Sequence, residues 1–223
     1  MTSAMALEVR ARQSLGASSD AIHRMVADAV ERHNLTGAAM IDVGCGHGAL
    51  RARLGNRFSL YRGLDAVSYS AFPPDVLFTQ VDLDAEHWPV EPQSADLVVA
   101  IETIEHLENP WSFMRHLAAL TAPGGWVIVT TPNQLSVLSL LTLATKRRFS
   151  AFQDAHFPAH RTALLESDLW RIAAASGLSV IDVVYSLEGR IPLTGSHYPI
   201  AIARLWPRGL SDNLLLVARK PRG

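Results

Sequence analysis

Four short apolar runs each end on a carboxylate. They are "AAMIDVG" with Asp42, "FSLYRGLD" ending on Asp65, "DVLFTQVDL" ending near Asp82, and "ADLVVAIE" ending near Glu102. Runs that are apolar throughout read as strands buried on both faces, and strands of that kind alternating with amphipathic helices predict a mostly parallel sheet with helices on both faces. "WVIVTTPN", "SVIDVVYSL" and "NLLLVARK" extend the count to seven strands. Helices are expected at "LRARLG", straight after the glycine-rich turn that follows the first strand, and at three further places. "SSDAIHRMVADAVERHN" opens with a capping-type start and spaces Ile22, Met25, Val26, Ala29 and Val30 along one face. "NPWSFMRHLAALTAPGG" carries Asn109 as N-cap, Pro110 at the first helical position and a stop at Pro123-Gly124-Gly125. "LESDLWRIAAASGL" is closed by Gly177. At 223 residues, 48% of them hydrophobic, the chain suits one good core and is short for two. A single domain over 1–223 is expected, with an N-terminal helical cap at 1–37 and two segments extra to the bare sheet, 134–160 and 188–211.

The charge balance narrows the partners. Twenty basic against 21 acidic residues give a formal net charge of -1, which speaks against a nucleic-acid partner held by a basic excess. Cys45 is the one cysteine, so no intrachain disulfide forms. "MTSAMALEVRARQSLGASSD" lacks the apolar core of a signal peptide, and "LSVLSLLTLAT" is too short to span a bilayer. The expectation is a soluble, cytoplasmic protein.

In parallel sheets, ligands sit outside the carboxyl ends of the strands, and here those ends carry a row of acids. Asp65 follows Gly44 by 21 residues, the spacing of a carboxylate held for the two hydroxyls of an adenosine ribose. Gly44, Gly46 and Gly48 would let the main chain lie against a nucleoside and its attached chain. A nicotinamide dinucleotide is the main competitor, because Gly44-x-Gly46-x-x-Ala49 satisfies that fingerprint too. Asp42 weighs against it: its charge would repel a pyrophosphate and attract the ammonium of an amino acid. Asp82 can accept from an adenine amine while the Leu83 backbone reads the ring. Ribose, adenine and a cationic amino-acid tail together describe S-adenosylmethionine.

The chain resembles the class I S-adenosylmethionine-dependent methyltransferases, through "DVGCGHG", "GLD", "VDLD", "ADLVVAIETIEHLENP" and "PGGWVIVTTPN" in the family's order and spacing, over roughly residues 40–177. The resemblance implies a Rossmann-like, seven-stranded, mostly parallel α/β sheet whose last strand is antiparallel. It implies that Asp42, Gly44, Cys45, Gly46 and Gly48 surround the methionine part, Asp65 and Ala66 the ribose, and Asp82 and Leu83 the adenine. Ile101 and Glu102 would complete the cofactor surface, and S-adenosylhomocysteine would be the product.

"ETIEHLENP" forms a second constellation. If Glu102 begins a helical turn, then Glu102, Glu105 and His106 share one face. His106 is the best candidate for a base that takes a proton from an attacking hydroxyl, with Glu105 or His160 assisting. The motif is similar to the Glu-x-x-Glu-His of methyltransferases that act on RNA 3′ ends or on catechol-like ubiquinone precursors. That similarity implies a divalent-metal set of Glu102, Glu105, His106 and His160, with His156 as second choice for the last. A metal-free site is the favoured expectation. His47 would cover the cofactor, Cys45 reads as a small filler, and His23, His33, His87, His116 and His197 as surface or helix-face positions.

Segments 134–160 and 188–211 follow the fifth and sixth strands and are expected to close a substrate pocket. A homodimer contact is the alternative use. The apolar half of 134–160 followed by Lys146-Arg147-Arg148 also permits contact with a membrane surface, which is not favoured for one short helix with three cations. The expected function is methyl transfer to a small-molecule acceptor, most simply at a hydroxyl oxygen. The alternatives are a metal-dependent hydroxyl methyltransferase acting on an RNA end or a catechol, and a non-catalytic cofactor-binding partner subunit.

Overall fold

The computed structural model describes Glu8 and residues 16–222, so most of the first fifteen residues of the expected N-terminal cap lie outside the described residues. The strands are β1 (Gly37–Val43), β2 (Phe58–Asp65), β3 (Leu77–Gln80), β4 (Ala95–Ala100), β5 (Thr121–Pro132), β6 (Ser179–Tyr185) and β7 (Asn213–Arg219). The α-helices used below are α1 (Asp20–Arg32), α2 (Ala49–Leu54), α3 (Pro110–Leu120), α4 (Val137–Lys146), α5 (Glu166–Ala175) and α6 (Ile200–Ala203). The strands form one sheet in the order β3-β2-β1-β4-β5-β7-β6. β1 pairs in parallel with β2 and β4, while β7 runs antiparallel between β5 and β6. The expected sheet is the observed one, with its last strand reversed.

Strand alternation explains why both faces are covered. Successive side chains of one strand point to opposite sides, so an unbroken apolar run feeds two cores. Ile41, Val43, Val98, Ala100, Leu214 and Leu216 join Phe113, Met114 and Leu117 of α3 and Leu169 and Ile172 of α5 in one core. Met40, Leu97, Val99, Leu215 and Val217 join Ile22, Met25, Val26 and Val30 of α1 and Leu50 and Leu54 of α2 in the other. Helix starts follow their caps: the Asn109 side chain accepts from the Ser112 amide at 2.9 Å, and the Ser19 side chain accepts from the Ile22 amide.

Two expected boundaries move. Helix α3 ends at Leu120, and Pro123-Gly124-Gly125 lies inside β5 instead of stopping the helix. Thr121 already pairs with Ala95, its hydroxyl donates to the Leu117 carbonyl, and the β4–β5 register then shifts between Ala95 and Leu97. The Pro-Gly-Gly run is therefore an irregularity at a strand's entrance. Strand β3 ends at Gln80, so Asp82 and Leu83 leave the sheet as a loop.

Leu97 is fully buried at the middle of the sheet. Leu97→Ala is expected to lower the unfolding free energy by about 2–5 kcal/mol, measured by urea denaturation followed by far-UV circular dichroism.

Candidate active site

Beyond the carboxyl ends of β1, β2 and β4 lies a cavity of about 560 Å³. That is within the range of small-molecule sites, roughly 300–1,000 Å³. Asp42, Gly44, Cys45, Asp65, Ala66, Asp82, Leu83, Ile101, Glu102, Glu105, His106 and His160 all line it. Gly46 and Gly48 do not; they shape the turn from beneath. Gly44, Gly46 and Gly48 all have positive φ, of 72°, 49° and 74°. A Cβ on Gly46 would strike the Gly16 carbonyl, and one on Gly44 would strike the Thr103 hydroxyl. The turn is glycine-rich because two other segments press on it.

Asp42 ends β1 almost fully buried, and its Oδ2 accepts from the Tyr61 hydroxyl at 2.5 Å. Desolvation pushes its carboxyl up to about 7, against the lowering effect of the Tyr61 bond. Asp65 is also buried, and its Oδ2 accepts from the Gly46 amide at 2.9 Å, which ties the end of β2 to the glycine turn. Its carboxyl is raised by burial as well. Burial likewise pushes the Cys45 thiol up, so it is a poor nucleophile, consistent with a filler.

Glu102 does not begin a helical turn. It sits in the left-handed region at φ 47°, and the short 3-10 turn that follows starts at Ile104. Its carboxylate is committed to the sheet: Oε1 accepts from the Thr130 hydroxyl at 2.9 Å and Oε2 from the Asn213 amide at 2.7 Å. The shared helical face expected for Glu102, Glu105 and His106 is therefore absent. One backbone residue in the wrong well turns the first carboxylate toward β5 and β7.

Glu105, His106 and His160 do come together, with one ligand-type atom from each within 4.8 Å of the others. Glu105 is fully buried; its Oε2 accepts from the Thr131 hydroxyl, and its Oε1 has no hydrogen-bond partner. Burial pushes this carboxyl up to about 8. Glu102 is raised well above the usual range by burial and then by Glu105. His106 Nδ1 lies 2.9 Å from the Ala159 carbonyl, and His160 Nδ1 lies 2.7 Å from the Ala151 carbonyl. A carbonyl only accepts, so each Nδ1 holds a proton, and in the neutral ring Nε2 then carries the lone pair. Burial, and then His106, lower His160 to about 4, which keeps it neutral at physiological pH.

The cover over this group is 155–160, which contributes Ala155, His156, Phe157, Ala159 and His160 to the cavity wall. It is fastened beside Glu105, whose carbonyl accepts from the amides of Arg161 at 2.9 Å and Thr162 at 3.0 Å. An Arg161–Glu108 ion pair adds a second tie. The other wall was not foreseen as such: Gly16, Ala17, Ser18, Ser19, Ile22 and His23 line the cavity, and the Gly16 carbonyl accepts from the His47 amide at 3.0 Å. His23, expected as a helix-face position, thus reaches the site. Residues 188–211, expected to help close it, line none of it. They pack instead on the start of α4, where the Val137 amide donates to the Gly209 carbonyl, and they expose Leu193, Ile200, Ile202, Leu205 and Trp206. Among the described residues, no helix is long and apolar enough to cross a membrane.

Tyr61, Thr103, Thr130 and Asn213 were invisible as site residues because each reads as an ordinary strand or loop position. A polar side chain inside an otherwise apolar strand was the one available signal, present at Thr130 and Asn213.

A family described as a methyltransferase domain matches residues 10–183, more than half of the chain. A ubiquinone biosynthesis O-methyltransferase from Chromobacterium violaceum is 28% identical over 168 residues, covering 71% of this chain and 72% of its own length. One from Paracidovorax citrulli is 31% identical over 119 residues, covering 49% of this chain; the match spans only 50% of that relative. A crystal structure described as a SAM-dependent methyltransferase from Archaeoglobus fulgidus superposes with a TM-score of 0.63 at 15% identity, covering 89% of this chain and 94% of that one. At that identity the likeness speaks for the fold. The chain belongs to the methyltransferase domain family, as an S-adenosylmethionine-dependent enzyme of class I.

The raised carboxyls define a pH dependence. In the unfolded chain Asp42 and Glu105 lose their protons near 4, but in the folded, ligand-free protein only near 7 and 8. Between these limits the unfolded state binds fewer protons, so stability declines as pH rises. The melting temperature of the ligand-free protein is expected to fall between pH 5 and pH 8, and Asp42→Asn to flatten that slope, read by differential scanning fluorimetry.

Proposed function

We propose that the protein transfers a methyl group from S-adenosylmethionine to a hydroxyl oxygen of a small-molecule acceptor. The cofactor's chemistry is an electrophilic methyl on a sulfonium. The residues that line the cavity suit it: burial raises Asp42 and Asp65, and a cationic ligand would relieve both. In this reading Asp42 receives the ammonium group, Asp65 the ribose hydroxyls, and Asp82 and Leu83 the adenine. His106 takes the acceptor's proton through Nε2, its ring held by the Ala159 carbonyl. Glu105 and neutral His160 flank it, and the 155–160 cover excludes water. The observation that carries the proposal is this fixed His106 tautomer inside a cavity also lined by buried Asp42 and Asp65. The relatives' activity on oxygen supports the choice of a hydroxyl acceptor.

A second reading is favoured by one observation, the unpartnered Glu105 Oε1 beside His106 and His160. A carboxylate and two imidazoles can hold a divalent cation, which would lower the acceptor hydroxyl's pKa. The four-ligand set expected from sequence shrinks to three, since Glu102 is bound by Thr130 and Asn213. The metal-free reading stays first.

Methyl transfer from radiolabelled cofactor to a panel of phenols, catechols and alcohols is the test. His106→Ala is expected to reduce kcat about 10²–10⁴-fold while the cofactor Kd, measured by calorimetry, changes little. Full activity in His106→Ala, or no transfer to any hydroxyl acceptor by the wild type, would reject the proposal. Activity lost to a chelator and restored by Mg²⁺ or Mn²⁺ would favour the second reading.

A further inference from the structure

Tyr61 does not line the cavity, yet it touches the residue that most needs a partner. In the β1–β2 register Tyr61 lies opposite Met40 and Asp42 opposite Gly63, so Tyr61 and Asp42 are diagonal neighbours on one face. Cys45 Sγ and the Phe72 ring close over Gly63, where a Cβ would meet both at 2.7 Å. The tyrosine ring packs against the α1-side core, and its hydroxyl donates to Asp42 Oδ2 at 2.5 Å. Asp42 Oδ2 is thereby occupied by Tyr61, while Asp42 itself lines the cavity.

Resting on the proposed function above, we propose that Tyr61 is a positioning residue: its hydroxyl fixes the Asp42 carboxylate and sets the pH above which the glycine turn can hold a cationic amino-acid group. The chemistry is one-sided. A phenol at neutral pH is a donor, so it stabilises the ionised carboxylate and cannot replace a ligand's charge. The groups facing Asp42 are Tyr61 and Asp65 from β2 and Cys45 from the glycine turn. Glu102, Glu105 and His106 line the same cavity from the segment after β4, His23 from α1, His47 from the glycine turn and His160 from the cover. Arg51 of α2 acts on Tyr61. Asp65 raises Asp42, and the Tyr61 bond is the contact that lowers it. A buried, desolvated carboxylate would otherwise stay protonated and neutral where it is meant to attract an ammonium.

The test compares wild type, Tyr61→Phe, Asp42→Asn and the double variant. Carbon-13 NMR of labelled aspartate side chains follows Asp42 in the ligand-free protein. Calorimetry with S-adenosylhomocysteine, in buffers of different ionisation enthalpy, reads affinity and proton release. The Asp42 midpoint is expected near 7 in the wild type and roughly one to two pH units higher in Tyr61→Phe. At pH 7 the variant should bind about five- to fifty-fold more weakly and release more of a proton on binding. In the Asp42→Asn background Tyr61→Phe should change neither quantity. An unshifted midpoint in Tyr61→Phe, or a wild-type midpoint near 4, overturns the proposal, and so does an affinity loss that is the same at every pH. If the wild type binds neither S-adenosylmethionine nor S-adenosylhomocysteine while the Asp42 midpoint still shifts, the cofactor reading fails and takes the ligand-holding role of Tyr61 with it.

Discussion

β1 hydrogen-bonds to β2 on one side and to β4 on the other, and the site depends on that central position. The chain leaves β1 at the point where the strand order reverses, so its turn borders loops from both directions. Asp65 reaches the turn from the β2 side through the Gly46 amide. Thr103 reaches it from the β4 side, donating to the Val43 and Ile101 carbonyls. The glycines are then a consequence: a turn pressed from two sides has no room for side chains.

The same geometry concentrates carboxyl groups. Parallel strands deliver their ends to one edge, where Asp42, Asp65 and, after β4, Glu102 and Glu105 line one cavity. Each acid meets the problem differently. Asp42 has a phenol, Asp65 a backbone amide, and Glu102 a threonine and an asparagine from the strands beside it. Glu105 is left half satisfied, with one oxygen on Thr131. A buried carboxylate with an open oxygen favours a donor or a cation beside it.

Much of the fold was legible because it rests on periodicity. Unbroken apolar strands, the Asn109 cap and the Gly177 stop all report short-range physics, and their elements formed where expected. The gathering of Asp42, Asp65 and Asp82 at one cavity was legible for the same reason, since they are placed by strand length. What escaped was set by backbone conformation or by distant chain. The positive φ of Glu102 cannot be read from "AIETIEH", so its side chain was assigned to the wrong side. The wall made by Gly16 to His23 arises because the N-terminal segment crosses the glycine turn, a contact with no local signature. Residues 188–211 were expected at the site because they follow a strand's carboxyl end, but they settled on α4.

The hydrogen bonds from Arg161 and Thr162 to the Glu105 carbonyl join the cover to the chemistry at one atom. His160 belongs to that cover, and its neighbour in sequence is one of the two donors. Lengthening or reshaping the loop would therefore drag the His160 imidazole along with it. The Gly16–His23 wall is tied instead to the glycine turn, through the Gly16 carbonyl and the His47 amide, so it can change without moving His160.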